Sequence, residues 1–220
     1  MPKYTRLDPA APEIRLLELL PGQGSAPVHC KLLAVGLSTA PAFEALSYVW
    51  GDAKITAPIV VDGDTFQDTT NLETALRALR RRRGPRLMWV DAVCINQDDV
   101  QEKNVQVLLM NKLYSGAAAI VVWLGMPTSN MEFAVSWAQT YVQEHDTDMS
   151  TSWSKHTETI QALDGLLDIF SHPYWERIWT FQEYRLAKEE PACMCGELEF
   201  RATALVEQMG AARDATFDIF

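Results

Sequence analysis

Glu183 follows Trp179 by four residues in the run Tyr174-Trp175-Glu176-Arg177-Ile178-Trp179-Thr180-Phe181-Gln182-Glu183, which crowds aromatic rings around an acid. On a continuous helix, Trp175, Trp179 and Glu183 stand at i, i+4 and i+8 and share nearly one face. A carboxylate set among indole rings loses hydration and holds its proton more tightly. That suits proton transfer or stabilisation of an oxocarbenium ion. Two other runs carry polar groups where a sheet would present them. Ala45-Leu46-Ser47-Tyr48-Val49-Trp50-Gly51-Asp52 ends a strand pattern with a hydroxyl, two aromatics, a glycine and a carboxylate. Trp89-Val90-Asp91-Ala92-Val93-Cys94-Ile95-Asn96-Gln97 sets a carboxylate inside an apolar stretch. Each run also has a plainer reading. Asp91 reads equally as a buried carboxylate bonded to backbone amides. Trp50, Trp89 and Trp123 read as core or pocket lining, Glu176-Arg177 as a structural or surface pair, and Glu183 as a solvated helix residue.

Several familiar chemistries lack their main signal. There is no Gly-x-Gly-x-x-Gly after a strand, no Gly-x-x-x-x-Gly-Lys-Ser/Thr phosphate loop and no Gly-x-Ser-x-Gly elbow. Cys30, Cys94, Cys193 and Cys195 make no disulfide framework at this length and read as reduced structural thiols. With His29, His145, His156 and His172 they show no ligand spacing, so no metal is expected. The 220 residues carry 29 acidic and 19 basic side chains, a net charge of −10, which argues against general nucleic-acid affinity. Arg80 to Arg83 reads as a solvated helix end. An apolar share of 48% excludes a disordered chain. No apolar run approaches the roughly 20 residues of a spanning helix, and no signal pattern opens the chain. A soluble cytoplasmic domain is expected.

The elements that must position these residues follow from periodicity and turn signals. Ile14 to Leu20 reads as an edge strand or apolar arm, His29 to Leu37 and Phe43 to Trp50 as strands, and Ile59 to Phe66 as a hairpin around Asp62-Gly63. Thr70-Asn71-Leu72-Glu73 fits a capping box, with Leu72, Ala75, Leu76 and Leu79 on one helical face. Arg86 to Ile95 reads as a buried parallel strand. Asp98-Asp99 caps a helix reaching Tyr114, with Val107, Leu108, Met110, Leu113 and Tyr114 inside. Ala118 to Gly125 is the clearest buried strand. Helices follow over Met131 to Glu144 and Lys155 to Phe170, joined by a polar stretch from Asp146 to Ser152 that reads as a mobile insertion. Pro173 opens a helix to Lys188. Ala192 to Phe200 reads as a last strand and Ala204 to Ala212 as a last helix. Strands alternating with helices predict an α/β domain, a mostly parallel central sheet flanked by helices on both faces. Ligands of such sheets lie at the C-terminal ends of strands.

With those segments in place, the chain resembles the heterokaryon incompatibility (HET) domain of fungal proteins. The resemblance is carried by Phe43-Glu44-Ala45-Leu46-Ser47-Tyr48-Val49-Trp50-Gly51-Asp52 and by Leu87-Met88-Trp89-Val90-Asp91-Ala92-Val93-Cys94-Ile95-Asn96-Gln97-Asp98. It continues through Glu102-Lys103, Gln106-Val107, Val122-Trp123-Leu124-Gly125 and Trp175 to Glu183. The match runs through positions 43 to 190 in the family's order, and Phe43 stands where the family often has tyrosine. It implies one HET domain over 1–220 with an N-terminal β extension and a helical insertion at about 126–172. It also implies a role in fungal nonself recognition that triggers programmed cell death. The chain ends at Asp218-Ile219-Phe220 without a terminal signature, so a longer protein with a sensor region or partner elsewhere is expected.

The HET domain is in turn similar to the Toll/interleukin-1 receptor (TIR) fold, which is flavodoxin-like. Ser47 to Asp52 looks like the end of the first TIR strand. Trp179 and Glu183 look like the TIR tryptophan–glutamate helix motif, whose glutamate is catalytic in members that cleave NAD. This second resemblance implies that Glu183 stabilises the ribosyl cation as nicotinamide leaves, and that Trp179 stacks on the ring or closes the pocket. Ser47, Tyr48, Trp50, Gly51 and Asp52 line the crevice, with Asp91 and Asn96 as further binding candidates. NAD is then a substrate; no bound cofactor is implied, and self-association is. Two function classes follow: an NAD glycohydrolase that kills by cofactor depletion or by making a nucleotide signal, or a non-catalytic module that signals death by oligomerising and recruiting partners.

Overall fold

The computed structural model describes residues 4–8, 12–141 and 152–207. The expected linker from Asp146 to Ser152 lies outside these residues except for Ser152, which opens a helix, and the end of the last expected helix lies outside them too. The chain forms two compact units, one of 1–123 with 178–191 and the other of 124–177 with 192–220.

The first unit is built on a sheet in the order β5-β4-β2-β1-β6-β3-β7. The strands are β1 (Glu13–Leu19), β2 (His29–Gly36), β3 (Glu44–Tyr48), β4 (Thr56–Val61), β5 (Asp64–Thr69), β6 (Arg86–Trp89) and β7 (Ala119–Trp123). The expected mostly parallel sheet is corrected here. Among the described residues, and counting the β8–β9 hairpin described below, antiparallel pairings (β1–β2, β1–β6, β4–β5, β8–β9) outnumber parallel ones (β2–β4, β3–β6, β3–β7). The reason is connection length. A parallel pair needs a crossover of a dozen residues or more, and short turns force reversal. Asp62 and Gly63 make such a turn, both at positive φ (52° and 87°), as a two-residue hairpin requires. Only β6, β3 and β7 form the parallel block that strand–helix alternation implied. Nor is β1 an edge strand. It lies between β2 and β6 with Ile14, Leu16, Leu17 and Leu19 fully buried.

Helix α1 (Thr70–Leu79) leads from β5 towards β6 and buries Leu72, Ala75, Leu76 and Leu79, as the spacing demanded. Its cap is one residue earlier than the capping box implied. The Thr69 hydroxyl accepts from the Leu72 amide at 3.3 Å, and Glu73 pairs forward with Arg77 instead of folding back. Arg80 is no solvated end. It is 8% exposed and donates to the carbonyls of Gly24, Ala26 and Pro27, clasping the β1–β2 loop. The apolar run from Arg86 to Ile95 is a strand only to Trp89. A one-turn helix, α2 (Asp91–Cys94), follows. Helix α3 (Val100–Gly116) is capped by Asp99, which accepts from the amides of Gln101 and Glu102, each at 3.0 Å. It buries Leu113 and Tyr114 but leaves Val107 and Leu108, expected inside, 40% and 81% exposed.

In the second unit, α4 (Ser129–Tyr141) packs on α5 (Ser152–Phe170). Gly165 makes their approach possible: a Cβ there would stand 2.0 Å from the Asn130 carbonyl oxygen. The helix expected to run unbroken from Pro173 to Lys188 is divided into a 3₁₀ turn, Pro173–Glu176, and α6 (Ile178–Arg185), which belongs to the first unit. The last strand is instead a hairpin, β8 (Ala192–Cys195) and β9 (Leu198–Phe200), turning at Gly196 with φ of 57°.

Candidate functional site

Because β3, β6 and β7 run parallel, their C-terminal ends share one edge, where sheets of this kind carry ligands. Ala45 faces Trp89 across β3–β6, and Ser47 faces Val122 across β3–β7. Two residues beyond the Ala45–Trp89 level lie Ser47 on one strand and Asp91, just past the end of the other. The expected groups converge here as two pairs.

The first pair is Ser47 and Glu183. Ser47 is buried on β3, and its hydroxyl donates to Glu183 Oε2 at 2.5 Å across 136 residues of chain. Glu183 is half-buried on α6, which packs against β3. Trp179, one turn earlier on α6, is 55% exposed. Trp175 does not share that face, because the break at Arg177 separates it from α6. Its indole donates to the Ile169 carbonyl at 2.8 Å and packs edge-on to Tyr174, so it serves the second unit. The face of three read from a continuous helix is therefore corrected: Trp175 drops out, while Trp179 and Glu183 stay one turn apart on α6. Geometry adds a serine hydroxyl as a partner of Glu183.

The second pair is Trp50 and Asp91. The indole of Trp50, 36% exposed, donates to Asp91 Oδ2 at 2.8 Å, while Asp91 Oδ1 accepts from the Ala92 amide at 2.8 Å. Asp91 is half-buried and opens α2, so it is not inside a strand as the apolar run suggested. Gly51 follows at φ 84°, in the left-handed region that favours glycine, and turns the chain away from β3.

The remaining candidates do other work. Tyr48 is buried in the core at 4% exposure. Asp52 shapes its own exposed loop, with Oδ1 accepting from the Lys54 amide at 2.9 Å. Asn96 does the same between α2 and α3. Its Oδ1 accepts from Asp98, and its amide donates to Glu102. Glu102 also takes both terminal nitrogens of Arg15, which is 1% exposed and in turn holds the carbonyls of Cys94 and Thr5. This network fixes the α2–α3 connection, which follows the short helix that Asp91 opens.

Sequence reasoning missed two contributors. Arg15 lies in an apolar strand and has no motif around it. Asn71 was seen only as part of a capping box, yet its side chain bonds both the Val49 carbonyl and the Trp123 indole. Nothing in local spacing could announce either, since all their partners but Thr5 lie 22 to 87 residues away. Among the described residues no group of three His, Cys, Asp or Glu side chains could hold a metal ion, and no helix is long and apolar enough to cross a membrane. All four cysteines are buried thiols outside any disulfide, as read from their number and spacing. Burial pushes the thiols of Cys30, Cys94 and Cys195 up to about 12.

The family model "Heterokaryon incompatibility protein (HET)" matches residues 43–183, which contain both pairs. Heterokaryon incompatibility protein 6, OR allele, of Neurospora crassa is 32% identical over 235 residues, covering 88% of this chain and 33% of that protein. The chain thus spans about a third of the length of the curated relative it matches. No solved structure matches. On the span of the family match and the identity to this relative, the chain belongs to the heterokaryon incompatibility family.

Proposed function

We propose that this domain is a cell-death effector of fungal nonself recognition, acting as a TIR-like NAD glycohydrolase. The observation that carries the reading is the Ser47–Glu183 contact. It unites the end of a parallel strand with the acid of the tryptophan–glutamate pair across 136 residues of chain. The Trp50–Asp91 contact on the same sheet edge supports it.

In the reaction the bond between ribose C1′ and the nicotinamide nitrogen breaks, and its electron pair leaves with nicotinamide, which becomes neutral. The ribose is left as an oxocarbenium ion. Water adds to C1′, giving ADP-ribose and releasing one proton. Glu183 offsets the developing positive charge and orients the ribose hydroxyls, a role that suits a carboxylate in a partly desolvated site. Ser47, by donating to Oε2, holds that carboxylate in one rotamer. The exposed faces of Trp50 and Trp179 offer apolar surface to a flat ring.

The test is nicotinamide release from NAD by the purified chain at high protein concentration, followed by chromatography, beside Glu183→Gln and Ser47→Ala. Wild type is expected to release nicotinamide, and Glu183→Gln to lose about 100-fold or more in kcat/KM. Equal rates in wild type and Glu183→Gln sink the assignment.

One observation favours the non-catalytic reading. Val100, Val107 and Leu108 on α3 leave an exposed apolar stripe, 67%, 40% and 81% accessible. On that reading Leu108→Lys abolishes killing in cells, and Glu183→Gln leaves it intact.

A further inference from the structure

We infer that Asn71 is the positioning residue of this site: its carboxamide fixes the backbone from which Trp50 reaches Asp91. Asn71 stands in the first turn of α1, whose inner face is fully buried, so it projects from a rigid element. Its Nδ2 donates to the Val49 carbonyl at 2.5 Å, and its Oδ1 accepts from the Trp123 indole at 3.0 Å. Val49 is the residue immediately before Trp50, and Trp123 is the fully buried last residue of β7. One planar group therefore ties the ends of β3 and β7 to the start of α1.

The chain leaves this tie through Gly51. A Cβ on Gly51 would stand 3.4 Å from Asn71 Cβ, and the φ of 84° is strained for any side chain. The exit from β3 is thus fixed on both sides of Trp50, by the Val49 carbonyl before it and by Gly51 after it. The indole then has one direction in which to meet Asp91, at 2.8 Å. The position needs a donor and an acceptor on one short side chain. Aspartate keeps the acceptor for Trp123 but has no proton for Val49. Leucine has neither group.

That the tie sets substrate binding rests on the proposed NAD reading; that it positions Trp50 does not. The test therefore has two arms. In the first, the 220-residue chain is labelled with 5-fluorotryptophan. The Trp50 and Trp123 resonances are assigned by their loss in Trp50→Phe and Trp123→Phe. Asn71→Asp is expected to move the Trp50 resonance by more than its linewidth and leave that of Trp123 in place, while Asn71→Leu moves both. A Trp50 resonance unmoved in a folded Asn71→Asp chain overturns the inference. If neither variant folds, the wild-type Asn71 side-chain amide decides. Slow exchange of one Nδ2 proton, as bonding to Val49 requires, upholds the tie, and fast exchange of both overturns it.

In the second arm NAD turnover is measured. Asn71→Asp is expected to raise KM about tenfold and leave kcat within about twofold, because the substituted group holds the Val49 carbonyl next to the binding indole and does not touch Glu183. A fall in kcat with KM unchanged overturns the binding role. Absence of turnover in wild type overturns the glycohydrolase reading and leaves the fluorine arm fully interpretable.

Discussion

At the scale of residues, the site is held by side chains whose polar groups are spent on one another. Arg15 is the clearest. Its guanidinium is buried in the sheet, forks onto both oxygens of Glu102 and takes two backbone carbonyls, with the Tyr4 ring 4.8 Å from its central carbon. Two charges taken out of water are tolerated because Glu102 and two carbonyls occupy both terminal nitrogens of Arg15, leaving only its Nε without a partner. Removing one leaves the other uncompensated. Glu102→Ala is therefore expected to cost about 3–5 kcal/mol of folding stability, read from urea unfolding. A loss below about 1 kcal/mol would place the pair among ordinary surface bridges and refute this account. The backbone N–H of Asn96 joins the same network by donating to Glu102.

At the scale of elements, the entry to α6 decides where Glu183 points. The chain leaves α5, stops at Ser171 and is capped by His172, whose Nδ1 accepts from the Tyr174 amide at 3.1 Å. That acceptor exists only in the neutral imidazole, and burial holds the His172 pKa below its ordinary 6.5. The native state binds this proton less tightly than the unfolded chain. The stabilisation is therefore complete above pH 6.5 and is lost as pH falls through the lowered native value. Asparagine can cap without titrating. The drop in melting temperature between about pH 7.5 and about pH 5 is expected to be smaller in His172→Asn than in wild type. Equal drops in the two proteins refute it. Helix continuity fails twice here. Pro173 has no N–H to continue α5, and Arg177 is extended (φ −87°, ψ 129°), which cuts Trp175 from the register of Trp179 and Glu183.

At the scale of the whole molecule, each compact unit encloses two of the four thiols, Cys30 and Cys94 in one and Cys193 and Cys195 in the other. Burial raises Cys30, Cys94 and Cys195 to about 12 and leaves almost no thiolate at neutral pH. The native chain is expected to resist Ellman's reagent at about pH 8 and to react at all four cysteines in denaturant. Rapid labelling of the native protein refutes the buried placement. Tagged fragments then report which unit opens first, because the two pairs lie in different units.

Local chemistry was enough for much of this. Asp62-Gly63 dictates its hairpin, the spacing of Leu72, Ala75, Leu76 and Leu79 dictates the buried face of α1, and Asp99 dictates the start of α3. Each depends on neighbours within a few residues. The motifs around Ser47, Trp50, Asp91 and Glu183 were likewise legible as candidates, and they sufficed to suggest the family. Periodicity did not determine strand direction, because it is the same for parallel and antiparallel neighbours. Nor could it place β1 inside the sheet, bury Arg15 and Arg80, or leave Leu108 in the open. Above all it placed Trp175 on the helix face of Glu183, although the chain breaks at Arg177. The hydroxyl that holds Glu183 comes from Ser47 on β3, and the carboxamide beside Val49 and Trp123 comes from α1. Contacts spanning 22 to 136 residues are set by which strands lie together, and only the folded chain settles that.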